Sequence, residues 1–243
     1  MSEAPTSWPW QRLNQGNANA HDVLATLLEP QPGERWLDVG TGGGGLALRL
    51  ARDGADVVGV DIAEDGLEHA RSAAAEQRVR ATFEYGDAQQ LPFEDRSFDG
   101  VASAFAVIFA LDRERAAQEL GRVCRPGGKL GLTLMPIDSR TGAAFTVLAR
   151  YGGPASHPAT WADDVDRLLG DDFDLEVERR NSPEPPTPFP PWDEALRGFA
   201  PLRNLVERLD DDRVAELRAE FEDIDRRYAD SPASYHVVVG RRR

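Results

Sequence analysis

Glycines and carboxylates at fixed spacing are the residues of this chain best suited to hold a ligand. The run Trp36-Leu37-Asp38-Val39-Gly40-Thr41-Gly42-Gly43-Gly44-Gly45 is apolar, ends on an acid and breaks into glycines. It reads as a buried strand that turns sharply into a helix, with glycines allowing the turn and the close approach of a ligand to the backbone. A second strand, Asp56-Val57-Val58-Gly59-Val60, closes on Asp61, 21 residues after Gly40. An acid at that tip can accept from both ribose hydroxyls of a nucleotide, and its charge strengthens those bonds. The plainer role of Asp61 is to cap the helix expected over residues 63–76. A third strand, Ala81-Thr82-Phe83-Glu84-Tyr85, runs into Gly86-Asp87-Ala88-Gln89-Gln90-Leu91-Pro92-Phe93, and Ser97-Phe98-Asp99-Gly100-Val101 opens a fourth.

The glycine loop alone leaves two ligands open. Gly40-x-Gly42-x-x-Gly45 fits the dinucleotide fingerprint, and Asp38-x-Gly40-x-Gly42-x-Gly44 fits the nucleoside-binding loop of S-adenosylmethionine enzymes. With Asp61, Gly86-Asp87-Ala88, Leu91-Pro92-Phe93 and the later turn Pro126-Gly127-Gly128 all in order, the chain resembles the class I S-adenosylmethionine-dependent methyltransferases. It is most similar to the group of ubiquinone and menaquinone biosynthesis methyltransferases, over residues 30–134.

The resemblance implies a role for each matching residue. Gly40, Gly42 and Gly44 let the backbone pass close to S-adenosyl-L-methionine, with the N-terminus of the next helix facing it. Asp38 accepts from loop amides or, through water, from the cofactor's ammonium. Asp61 holds the ribose, Ile62 packs on the adenine face, Asp87 accepts from the adenine amine and the Ala88 N–H donates to a ring nitrogen. Ser103, Ala104 and Phe105, just past strand four, lie below the methyl group. Leu91 and Phe93 read as core side chains under the loop.

The elements that must position these residues alternate strand and helix, the pattern of a parallel sheet. A helix over residues 19–28 precedes strand one, and strand five is expected over residues 130–134. Helices over 141–151 and 161–169 lead to strand six at 173–179, then to a proline-dense link over 183–191. Helices over 192–209 and 211–228 precede a last strand at 235–240. The fold expected is α/β, a Rossmann-like seven-stranded mostly parallel sheet with helices on both faces and an antiparallel last strand. The whole chain, 1–243, reads as one domain, with a cofactor-binding core at 30–135 and a helical insertion at 182–231. That insertion is either a lid over the substrate or a packing extension.

With 243 residues and 41% hydrophobic content, the chain can bury a core of this kind. A formal charge of −14 argues against nucleic acid as a partner. No apolar run is long enough to span a membrane, the first residues lack the pattern of a secretory leader, and a cytoplasmic location is expected. The one cysteine, Cys124, reads as a small buried residue on the helix before strand five rather than a nucleophile. Metal-ligand spacing is missing from the sequence.

A methyl acceptor that must lose a proton needs a base. Of the four histidines, His69 falls on a surface helix and His236 in the last strand, which leaves His157 and His21. A lone histidine is more often structural. Trp8, Trp10, Phe105, Phe109, Phe145, Tyr151, Phe189 and Trp192 suggest an acceptor site of apolar character, so the expected substrate is a small apolar or aromatic metabolite. A non-catalytic S-adenosylmethionine-binding protein and an NAD-dependent oxidoreductase are the alternatives.

Overall fold

The computed structural model describes residues 17–152, 160–183, 189–198 and 200–243. Helix α1 (Ala18–Leu28) leads into β1 (Arg35–Val39), α2 (Gly45–Arg52), β2 (Asp56–Asp61), α3 (Glu64–Gln77) and β3 (Ala81–Tyr85). There follow β4 (Phe98–Ala104), a 3-10 turn (Val107–Phe109), α4 (Arg113–Val123), β5 (Cys124–Leu134), α5 (Arg140–Arg150), α6 (Thr160–Leu169) and β6 (Phe173–Asn181). Three further helices, α7 (Trp192–Gly198), α8 (Ala200–Val206) and α9 (Asp211–Arg227), precede β7 (Ser234–Arg242).

The seven strands form one sheet in the order β3-β2-β1-β4-β5-β7-β6. β1 pairs in parallel with β2 and β4, β2 with β3, and β4 with β5, whereas β7 runs antiparallel between β5 and β6. Both faces of the central strands are covered, which is why they read as continuous apolar runs. Leu37, Val39, Val58 and Val60 pack against α4 and α6 on one face. Trp36 and Val57 meet α1, α2 and α3 on the other. The parallel strands therefore all point their C-terminal ends to one edge, where the order reverses between β1 and β4. Ligands of open α/β sheets bind at such a switch point.

Some boundaries depart from the sequence expectations. β5 begins at Cys124, six residues before the expected start, and its pairing with β4 shifts register between Phe98 and Gly100. Cys124 is therefore a strand residue, 1% exposed, and burial pushes its thiol up to about 11. Ser103 and Ala104 belong to β4 itself. Of the helix expected over 192–209, the described residues show α7 and α8, with residue 199 between them outside the described residues.

Helices α7 to α9 build a third apolar cluster with α5, in which Phe145 and Leu148 meet Leu202, Leu205, Leu217 and Ile224. Phe109 of the turn after β4 touches Phe145 with ring centroids 5.6 Å apart, so this cluster adjoins the C-terminal edge of the sheet. Among the described residues no helix is long and apolar enough to cross a membrane.

Candidate functional site

The loop after β1 is hooked onto the tip of β2. The N–H groups of Gly40 and Thr41 both donate to the Val60 carbonyl, at 2.8 and 2.9 Å. Gly40 has φ 71°, and a Cβ there would stand 2.2 Å from the Ala106 Cβ, so glycine is required for conformation and space alike. Gly44 caps α2 at φ 83°, where a Cβ would meet the Ala70 Cβ of α3 at 2.9 Å. Gly42, also at positive φ, donates its N–H to Asp61 Oδ2 at 2.8 Å.

Three carboxylates sit at the ends of three adjacent strands. Asp38 is 1% exposed, and its Oδ2 accepts from Thr41 Oγ1 at 2.7 Å and from the Ala47 N–H at 3.0 Å. Burial raises its carboxyl to about 7 against the pull of those two donors. Of the two roles expected for Asp38, the bonds on show are to the loop and the first turn of α2. Asp61 accepts from Gly42 with one oxygen and from the Ala63 N–H with the other, at 2.9 Å. It thus joins the glycine loop to the start of α3, and burial raises its carboxyl although the Ala63 and Gly42 amides oppose this.

Asp87, past the tip of β3, accepts from the N–H and the side chain of Gln89. The Ala88 N–H beside it has no partner among the described residues. Ile62 stands 64% exposed next to Asp61. Leu91 is buried and Phe93 packs edge-on to Phe98 at 4.9 Å, the core roles expected of them.

Two sequence candidates, Ser103 and His21, are buried. Ser103 is 0% exposed, and its hydroxyl donates to the Val39 carbonyl at 2.7 Å while accepting from the Val107 N–H at 3.0 Å. The side chain ties β1 to the turn after β4, with its O–H spent on Val39. His21 is buried beside Gly45 and Leu48 where α1 crosses α2. Burial lowers it to about 4 against the nearby Asp22 carboxylate, so it is a neutral and weak base. His157, Trp8 and Trp10 lie outside the described residues.

One feature of the β4 tip has no signal in residue type. Phe105 takes φ 54°, a conformation uncommon for a side chain of its size, and its N–H donates to both the carbonyl and the hydroxyl of Thr133 on β5. Its ring meets Tyr235 of β7 edge-on at 5.8 Å. Such strained positions cluster at functional sites. Among the described residues no group of His, Cys, Asp or Glu could hold a metal ion.

Residues 37–128 match the methyltransferase domain family. An uncharacterized protein of Mycobacterium tuberculosis is 38% identical over 155 residues, 61% of this chain and 57% of that protein. The 27-O-demethylrifamycin SV methyltransferase of Amycolatopsis mediterranei is 37% identical over 123 residues, 49% of this chain and 45% of its own length. The chain thus spans about half the length of the curated relatives it matches. In three dimensions it is similar to Haemonchus contortus phosphoethanolamine N-methyltransferase 2, solved in complex with S-adenosyl-L-methionine. The TM-score is 0.59 at 20% identity, covering 92% of this chain and 52% of that one. The sheet that carries the glycine loop and the acids at its strand tips thus shares its fold with that methyltransferase, and the match to the methyltransferase domain family falls on its core, residues 37–128.

Proposed function

We propose that the whole protein is an S-adenosylmethionine-dependent methyltransferase acting on a small, apolar or aromatic metabolite. The observation that carries the reading is the row of hydrogen-bonding groups at the tips of β1, β2 and β3. Asp61 accepts from the Gly42 and Ala63 N–H groups, one on each oxygen, and the Ile62 N–H also acts on it, so of about four acceptor directions one remains for a ribose hydroxyl. Asp87 with the unpaired Ala88 N–H offers an acceptor and a donor side by side for the edge of adenine. Exposed Ile62 supplies an apolar face for its ring. Half-buried Gly40 is the glycine of the loop open to the methionine portion, and Asp38 braces that loop through Thr41 and the Ala47 N–H.

Bound there, S-adenosylmethionine supplies an electrophilic methyl group to an incoming acceptor. The chain's part is to orient the two reactants and exclude water, which can account for roughly 7–11 kcal/mol of barrier lowering. Phe105 at the tip of β4 and half-exposed Phe109 mark the side from which the acceptor approaches. The cluster that α7 to α9 share with α5, whose Phe145 touches Phe109, supports reading those helices as a cover over that side. Apolar Leu111 and Ile137, 73% and 42% exposed on neighbouring loops, favour an apolar acceptor, and the net charge of −14 disfavours a polyanion. One relative is by name a 27-O-demethylrifamycin SV methyltransferase.

Calorimetric titration with S-adenosylhomocysteine and with NAD tests the cofactor, and heat with NAD alone overturns the reading. Labelled methyl transfer from S-adenosylmethionine to a panel of apolar and aromatic metabolites tests the activity.

A further inference from the structure

The carboxylate of Asp87 is held before any ligand arrives. Its Oδ1 accepts from the Gln89 backbone N–H at 2.8 Å and from Gln89 Nε2 at 3.0 Å, and its Oδ2 accepts from the same Nε2 at 3.2 Å. Both acceptor directions of Oδ1 are thereby taken, and one of Oδ2 remains. The other end of the Gln89 amide is fixed as well. Gln89 Oε1 accepts from the N–H of Asp112, the residue that caps α4, at 2.8 Å. The Gln89 carbonyl accepts from Arg115 Nε at 3.1 Å.

Further along, the Leu91 N–H donates to buried Glu119 at 2.8 Å, and Arg122 donates to the carbonyls of Leu91 and Phe93. The loop over residues 87–93 is bonded to α4 along its length, and Gln89 is the side chain that carries this anchorage to Asp87.

We propose that Gln89 is a positioning residue for base discrimination, an inference that rests on the reading of Asp87 as the acceptor for the adenine amine. The Gln89 amide leaves Asp87 a single acceptor direction, beside the donating N–H of Ala88. A 6-aminopurine matches that pair, since its amine donates and its adjacent ring nitrogen accepts. A 6-oxopurine inverts both groups, setting a carbonyl against the carboxylate and an N–H against an N–H. Without the amide, only the Gln89 backbone N–H on Oδ1 holds Asp87, its second oxygen is no longer aimed, and the loop tells the two bases apart less well. Gln89 thus sets which base the site takes, while Asp61 and the glycine loop hold the rest of the nucleoside.

The test is calorimetric affinity for S-adenosylhomocysteine and for its deaminated analogue S-inosylhomocysteine, in the wild type, Asp87→Ala and Gln89→Met. The wild type is expected to prefer the adenine form by about tenfold or more, the scale of one hydrogen bond to a charged acceptor. Asp87→Ala loses that preference, and Gln89→Met, equal in length but unable to donate, narrows it to within about threefold. Gln89→Glu keeps the acceptor for the Asp112 N–H and removes the donor to Asp87. It guards against a folding defect in the Met variant and is expected to narrow the ratio likewise. No preference in the wild type overturns the adenine reading of Asp87 itself. A preference that Asp87→Ala abolishes and both Gln89 variants retain overturns the role of Gln89 alone. Equal weakening of both ligands at an unchanged ratio, the mark of a merely structural residue, also overturns it.

Discussion

Replacing Asp61 by Ala removes two kinds of interaction at once, and the structure lets them be separated. In the free protein the carboxylate accepts from the Gly42 and Ala63 N–H groups at 2.8 and 2.9 Å. Bonds to a charged acceptor contribute roughly 1.5–3 kcal/mol each. Much of that is offset here, because burial already raises the carboxyl of Asp61. A net loss of about 1–2 kcal/mol in folding stability is expected, read as a lowered midpoint in chemical denaturation.

In the complex the same substitution removes the acceptor for the ribose and slackens the glycine loop. The expected weakening for S-adenosylhomocysteine is about 2–4 kcal/mol, or roughly 30- to 1000-fold. The raised carboxyl adds a signature of its own. Lowering the pH through its folded-state range protonates Asp61 and weakens ligand binding in the wild type, whereas Asp61→Asn has no such group to titrate. Titration calorimetry across pH on all three proteins gives both numbers. An Ala variant that is folded and binds S-adenosylhomocysteine within threefold of the wild type refutes the placement of the ribose.

Asp38 and His21 are buried with opposite consequences for stability against pH. Asp38 holds its proton more tightly when folded, about 7 against 3.8, so its contribution favours the fold at low pH and is lost as pH rises between those values. Denaturation of Asp38→Asn, which keeps an acceptor for the Ala47 N–H, is expected to lack that slope, a change on the order of a few kcal/mol. His21 resists protonation when folded, about 4 against 6.5, so its contribution is complete above pH 6.5 and is lost as pH falls toward 4. His21→Leu is expected to be less acid-sensitive, and to transfer labelled methyl groups within about threefold of the wild type once an acceptor is found. A rate loss of a hundredfold or more would restore His21 as the base. Trp192 packs edge-on to Phe221 at 6.0 Å inside the α5, α8 and α9 cluster. Trp192→Ala is expected to raise the Michaelis constant for the acceptor or lower turnover while sparing S-adenosylhomocysteine affinity. Joint loss of both ligands would make 182–231 a structural extension only.

The parts of this site that sequence reveals are those where one residue type answers one physical demand. Gly40 and Gly44 are glycine because any Cβ there collides with Ala106 or Ala70, and Asp61 ends a strand whose apolar run is readable. What sequence conceals is a choice between equivalent contacts. Ser103 sits at the right depth in β4 to face a ligand, yet its hydroxyl is spent inward on Val39 and Val107, a decision made by strand register and not by residue type. The Phe105 backbone is likewise set by Thr133, 28 residues away. Gln89 shows the same limit most clearly. In the chain it is one of two consecutive glutamines in a polar turn, and only the approach of α4 converts it into a fixed bridge between Asp112 and Asp87. A motif names the group that faces the ligand, whereas the group that aims it is chosen by whichever helix the fold lays alongside.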